Sequence, residues 1–143
     1  MNDRLRDGLA AGAIAAVPSG IPSTLHALIT KRPVLEATEA AGSLIAPRAR
    51  STKALVTAAI PAHFILSIGW GIALSFMLPK RRTPLWGALG GIAIAVFDLG
   101  LVGRRLQRIR DLPPAPQVMD HVAFGVIVGY ALRSLRATRS LST

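Results

Sequence analysis

Residues 8–30 (GLAAGAIAAVPSGIPSTLHALIT) run without a single Asp, Glu, Lys or Arg. At ~1.5 Å of rise per residue, a helix of that length crosses a hydrocarbon core of ~30 Å. In lipid every backbone polar group must be satisfied within the protein, so such a stretch has to be helical. Residues 54–79 form a second apolar stretch with length to spare. Residues 84–103 form a third, interrupted only by Asp98. A fourth, residues 117–136, is weaker; its apolar part ends at Leu132, and Arg133 and Arg136 are expected to snorkel toward headgroups.

Composition agrees once position is considered. Hydrophobic residues make up 51% of the 143, and mean hydropathy is +0.46 in a chain with 17 Lys+Arg. The charges cluster between the apolar stretches, whereas a soluble amphipathic helix mixes the two every three or four residues. The net charge of +10 therefore points to headgroups and anionic lipid. No basic face with interleaved aromatics exists, so nucleic acid is not an expected partner. The absence of cysteine excludes disulfides, thiolate nucleophiles and zinc ribbons. A signal peptide fits the first stretch poorly, because the uncharged run continues well past the Ala13–Ala15 cleavage-like motif.

The expected fold is all-α, a polytopic membrane domain of four transmembrane helices in an up-down bundle. Loop 31–53 is expected to hold a short interfacial helix over 34–45, with Val34, Leu35, Ala41 and Ile45 on one stripe and Glu36, Glu39 and Ser43 on another face. An even number of spans puts both termini on one side, assigned to the cytoplasm of a bacterial inner membrane. Basic residues are shared almost evenly between the two sides, so the positive-inside rule adds no orientation. Pro18 and Pro22 are one turn apart and should bend the first span. Pro61 either sits within the second span or opens it.

Each span carries small residues four apart: Gly8 and Gly12, Ser67 and Gly71, Gly87 and Gly91, Gly125 and Gly129. Such stripes let helix backbones approach closely where lipid offers no hydrophobic driving force. They suit packing within one chain, and equally a homo-oligomer or a membrane-protein partner.

The ionisable residues then fall on one side. His26 ends the first span, His63 starts the second, Asp98 ends the third, and Asp120 and His121 start the fourth. In an up-down bundle these positions share one half of the bilayer, with Ser23, Ser67, Glu36 and Glu39 as possible contributors. The opposite half is expected to hold no Asp, Glu, His, Lys or Arg. Intramembrane ionisable groups cost on the order of 2.5–3.5 kcal/mol each, so they should face inward and find partners. The cluster has three readings: a structural hydrogen-bonded knot, a metal or haem site, or a relay for protons or small solutes. No HxxxH or HExxH spacing sharpens the metal reading. Trp86 reads as an interface anchor and Trp70 as a packing residue.

From the second span onward, AHFILSIGWGIAL (62–74), PLWGALGG (84–91), Asp98 and DHVAFG (120–125) occur in an order that resembles the YagU-like family of small bacterial inner-membrane proteins. The resemblance covers roughly residues 60–135. It implies a multi-spanning membrane protein and supplies no catalytic residues. The leading expectation is a non-enzymatic structural or accessory protein; the alternative is a metal, haem, proton or solute protein built on the cluster.

Overall fold

The computed structural model describes residues 2–140, and every regular element among them is helical. Helix α1 (Asp3–Ala16) starts where the Asn2 side chain accepts the Arg4 N–H at 2.9 Å. It stops at Ala16. A 3₁₀ turn (Pro18–Gly20) follows, and α2 (Ile21–Ile29) resumes at an angle of 40°. The prolines explain the break, since Pro22 has no N–H to return to Pro18 and its ring crowds the preceding turn. Helix α2 closes in a Schellman turn: the Arg32 N–H donates to the Ala27 carbonyl at 2.9 Å, with Lys31 at φ 56°.

Helix α3 (Glu36–Gly42) lies in the loop, shorter than the stretch expected from sequence. It buries Ala40 and Gly42, while Val34, Leu35 and Ile45 stay exposed. Its packing face is therefore not the apolar stripe. Gly42 sets it against α4, where a Cβ would strike the Leu55 carbonyl.

Helix α4 (Thr52–Met77) is continuous through Pro61 and starts under a Ser51 cap, whose Oγ accepts the Ala54 N–H at 3.2 Å. That resolves the position of Pro61: it sits inside the span. Helix α5 (Thr83–Phe97) has Pro84 in its first turn, where a missing N–H costs nothing. At Asp98 the helix widens into a π turn (Asp98–Val102), then a 3₁₀ turn (Gly103–Arg105) and the short α6 (Gln107–Arg110). Helix α7 (Pro114–Ser140) is longer at both ends than the sequence suggests.

Three segments are long and apolar enough to cross a membrane: α4, Thr83–Arg105 and α7. The bent α1–α2 pair passes as a fourth, broken one. The apolar side chains of these helices largely point outward, among them Ile14, Leu25, Ile65, Leu89 and Val96.

The glycine stripes pair in sequence order. At the α1–α4 crossing, a Cβ on Gly12 would lie 2.5 Å from the Ser67 carbonyl oxygen, and one on Gly71 would lie 2.6 Å from Gly12 Cα. At the α5–α7 crossing, Gly87 and Gly125 each face the other's carbonyl, and Gly129 meets Pro84 Cα at 2.6 Å from its ideal Cβ. Helix α1 also packs on α7, joining the two hairpins. The shared core is Ala11 and Ala15 of α1, Leu74 of α4, Ile94 of α5 and Phe124, Val128 and Leu132 of α7. Helices α4 and α5 meet mainly through side chains, Leu74 over Gly90 and Trp70 against Phe97.

At the other end of the molecule Asp7, just before the first apolar stretch, is 3% exposed and pairs with Arg139 at 2.5 Å; Asp3 pairs with the same guanidinium at 3.1 Å. This buried acid is held by an arginine from the far end of the chain. Arg136 does not simply snorkel: its guanidinium donates to the Ser75 and Leu78 carbonyls at 3.0 and 3.4 Å, capping the end of α4.

Candidate functional site

Where α4 and α5 diverge, a cleft of about 1100 Å³ opens, lined by α2, α3, α4, the π turn and α7. Its position follows from three local events. The break in α1–α2 pulls Pro18–Gly20 aside. The π turn at Asp98 interrupts the α-helical pattern of the third segment. The α5–α7 glycine contact holds those two helices together instead of letting α5 close on α4.

The polar groups of the cleft satisfy the backbone that these events expose. Helix α1 ends at Ala16, whose carbonyl accepts the Ser19 hydroxyl at 3.2 Å in place of a helical N–H. His63 adds a second donor: its Nε2–H donates to the Ala16 oxygen at 2.5 Å. A carbonyl only accepts, so Nε2 carries the proton. Helix α2 begins at Ile21, leaving first-turn N–H groups uncapped. Asp120, from α7, accepts the Ser23 N–H at 2.8 Å through Oδ1. The carboxylate also faces the positive end of the α2 dipole. The Ser23 hydroxyl turns back to the Gly20 carbonyl at 3.2 Å.

A second group sits on the π turn. Asp98 Oδ2 accepts from Trp70 Nε1–H at 3.2 Å and lies 3.4 Å from His121 Nε2. His121 Nδ1–H donates to the Gln117 carbonyl at 2.7 Å. Because that carbonyl cannot donate, Nδ1 is protonated. The Nε2–Asp98 contact is then favourable only with a further proton on one of the two partners. Both side chains keep about a fifth of their surface open, 21% for His121 and 22% for Asp98. The Trp70 ring meets Phe97 edge-on at 5.6 Å and 79°.

The structure thus brings Asp98 and His121 into contact, with His63 and Asp120 lining the same cleft. Ser67 also lines it, but its backbone is held in the α1–α4 glycine crossing. Three expected contributors lie elsewhere. His26 does not line the cleft, Glu36 pairs with Arg32 at 2.7 Å, and Glu39 pairs with Arg108 at 3.4 Å. Among the described residues no group of three His, Asp or Glu side chains is placed to hold a metal ion. Trp70 is the residue that sequence reasoning under-read. Its indole N–H is a donor that a mid-span position obliges to find an acceptor, and the one acid interrupting the third span was the natural candidate.

The capping role of Asp120 gives a first prediction. Asp120→Ala leaves the Ser23 N–H without its acceptor in a low-dielectric site and should cost about 1–3 kcal/mol. Asp120→Asn keeps an acceptor oxygen and should cost less. Thermal unfolding in a neutral detergent measures both; equal losses would show that the capping bond is not what matters.

Comparison with family models, with curated proteins and with solved structures gives no match, so the functional reading rests on geometry.

Proposed function

We propose that the chain is a multi-pass protein of a bacterial cytoplasmic membrane whose cleft binds a small lipid-soluble molecule. In this reading all four segments cross the bilayer up and down as a four-helix assembly, α3 lies in the interface and both termini face the cytoplasm. The likeness of residues 60–135 to YagU-like proteins agrees with a multi-spanning role and assigns no residues. The observation that carries the proposal is the cleft itself. About 1100 Å³ is room for a drug-sized ligand, at or slightly beyond the upper end of the roughly 300–1,000 Å³ typical of such sites. It also has the make-up of such sites, apolar walls around a few placed polar groups. Exposed Ile60, Phe64, Ile65 and Phe97 line it and would face acyl chains, so a molecule dissolved in the bilayer can enter sideways.

A structural or accessory role is the second reading. It is favoured by the His63–Ala16 and Asp120–Ser23 bonds, which tie together the broken segment, α4 and α7.

Gly69 separates the two. It lines the cleft on α4, and a Cβ there meets nothing within 4 Å. Gly69→Phe should project a ring into the cleft and obstruct it without disturbing the fold. Trp70 reports occupancy once Trp86, 49% exposed on α5, is replaced by Phe. The proposal expects saturable quenching of Trp70 by at least one of a panel of aromatic probes matched in size, and its loss in Gly69→Phe with unchanged thermal stability. If no probe saturates, or if Gly69→Phe leaves binding intact, the scaffold reading replaces it.

A further inference from the structure

Charge is distributed in this molecule in a way that composition hides. The chain carries 17 Lys+Arg and a net charge of +10. Yet among the described residues lining the cleft there is no lysine and no arginine. The only carboxylates there are Asp98 and Asp120, one on each side of the π turn–α7 contact. His63 gives its Nε2–H to the Ala16 carbonyl. The Asp98–His121 contact needs a proton on one of the two partners, and a cation beside Asp98 supplies the positive charge that this proton otherwise brings. The cleft is thus an apolar space in a basic protein whose described lining holds two carboxylates and no lysine or arginine.

A carboxylate in such surroundings carries a desolvation cost that a cation can relieve. Asp98 is suited to it. Its Oδ2 is fixed by Trp70 and His121, and the side chain remains partly open to the cleft. Aromatic side chains share the cleft: Trp70, which donates to Asp98, with Phe64, Phe97 and Phe124 also lining it. Aromatic rings attract a cation through their quadrupoles, more strongly when water is excluded. An inorganic ion is poorly matched, because the walls offer few oxygens to replace its hydration shell. A cation that carries its own apolar body suits both the walls and the floor.

We propose that the cleft binds lipophilic organic cations, with Asp98 as counter-ion and Trp70 and Phe97 as the aromatic walls. The inference rests on the binding reading above and narrows it to one charge class. A lipid headgroup amine, a neutral hydrophobe and a second copy of the chain are the competing occupants.

The test uses the full chain with Trp86→Phe, in neutral detergent, and three probes of similar size: tetraphenylphosphonium, tetraphenylborate and neutral triphenylmethane. Tetraphenylphosphonium should quench Trp70 saturably. Tetraphenylborate should bind on the order of thirtyfold more weakly, the low end of what removing one partner of a desolvated charge pair costs. Asp98→Asn keeps an acceptor for the indole N–H and should lower tetraphenylphosphonium affinity by a similar factor, while triphenylmethane is little changed. Gly69→Phe should abolish binding. If the anion or the neutral probe binds as tightly as the cation and Gly69→Phe still blocks it, the cleft binds ligands but the cation inference fails. If no probe is blocked by Gly69→Phe, the binding reading fails as well. A phospholipid that co-purifies in stoichiometric amount and is not displaced by tetraphenylphosphonium overturns the inference in favour of lipid. Should Asp98→Asn not fold, the cation-to-anion ratio of the parent protein decides alone.

Discussion

Gly125→Val is expected to destabilise the protein by about 3 kcal/mol or more, at the upper end of what overpacking costs. The reason is the identity of the atoms in the way. A Cβ at Gly125 meets the Gly87 carbonyl and lies 2.9 Å from the Gly91 backbone nitrogen. Backbone cannot rotate aside as a side-chain tip can, so α5 and α7 must separate. That separation reaches the site, because a Cβ on Gly91 faces the His121 carbonyl in the same crossing. Opening the crossing therefore shifts His121 from Asp98. The built-in control is Gly100→Ala. Nothing lies within 4 Å of a Cβ there, so only a small change is expected. Thermal or denaturant unfolding in detergent reads both. A Gly125→Val protein as stable as its parent would mean that the α5–α7 contact is not close-packed.

Arg139→Met is expected to cost about 3–5 kcal/mol, the range for removing one partner of a buried ion pair. Asp7 would remain 3% exposed with its strongest counter-charge gone. The more exposed Asp3, in contrast, can turn to water. A double variant, Asp7→Asn with Arg139→Met, should recover much of the loss, because no uncompensated carboxylate is left behind. If the double variant is no better than Arg139→Met alone, the pair contributes through the arginine's packing rather than its charge.

What the sequence makes legible follows the physical range of each signal. Apolar length is local, so the three long spanning-capable helices and the bend near Pro18 and Pro22 can be read from it. The stripes of Gly and Ser are local too, but one stripe is chemically like another. Which stripe meets which is decided by three-dimensional packing, in favour of the α1–α4 and α5–α7 pairs. Asp7 was out of reach because its partner is 132 positions away and both residues look like ordinary flanking charges. Pro61 was ambiguous because a proline removes one donor without fixing where a helix starts; the Ser51 cap fixes that here. Depth and a helical stripe shared with Ser19 and Ser23 group His26 with the cluster, but the break between α1 and α2 interrupts that stripe, and Ser19 and Ser23 line the cleft while His26 does not. The positions of Asp98, Asp120, His63 and His121 were legible from cost: ionisable groups in apolar stretches must face one another or a cavity. Their actual partners, an indole and two interrupted helix ends, appear only with the breaks in place.

The central claim is that the cleft lies within the bilayer and opens to its lipid. Because the chain has no cysteine, a single Gly69→Cys substitution can carry a nitroxide label at the cleft wall. The measurement is the label's collision rate in reconstituted bilayers with oxygen, which concentrates in lipid, and with a water-soluble nickel chelate. The account predicts high oxygen and low nickel accessibility, with oxygen accessibility falling when tetraphenylphosphonium is added. High nickel accessibility, or a label immobilised and shielded from both reagents, would contradict it.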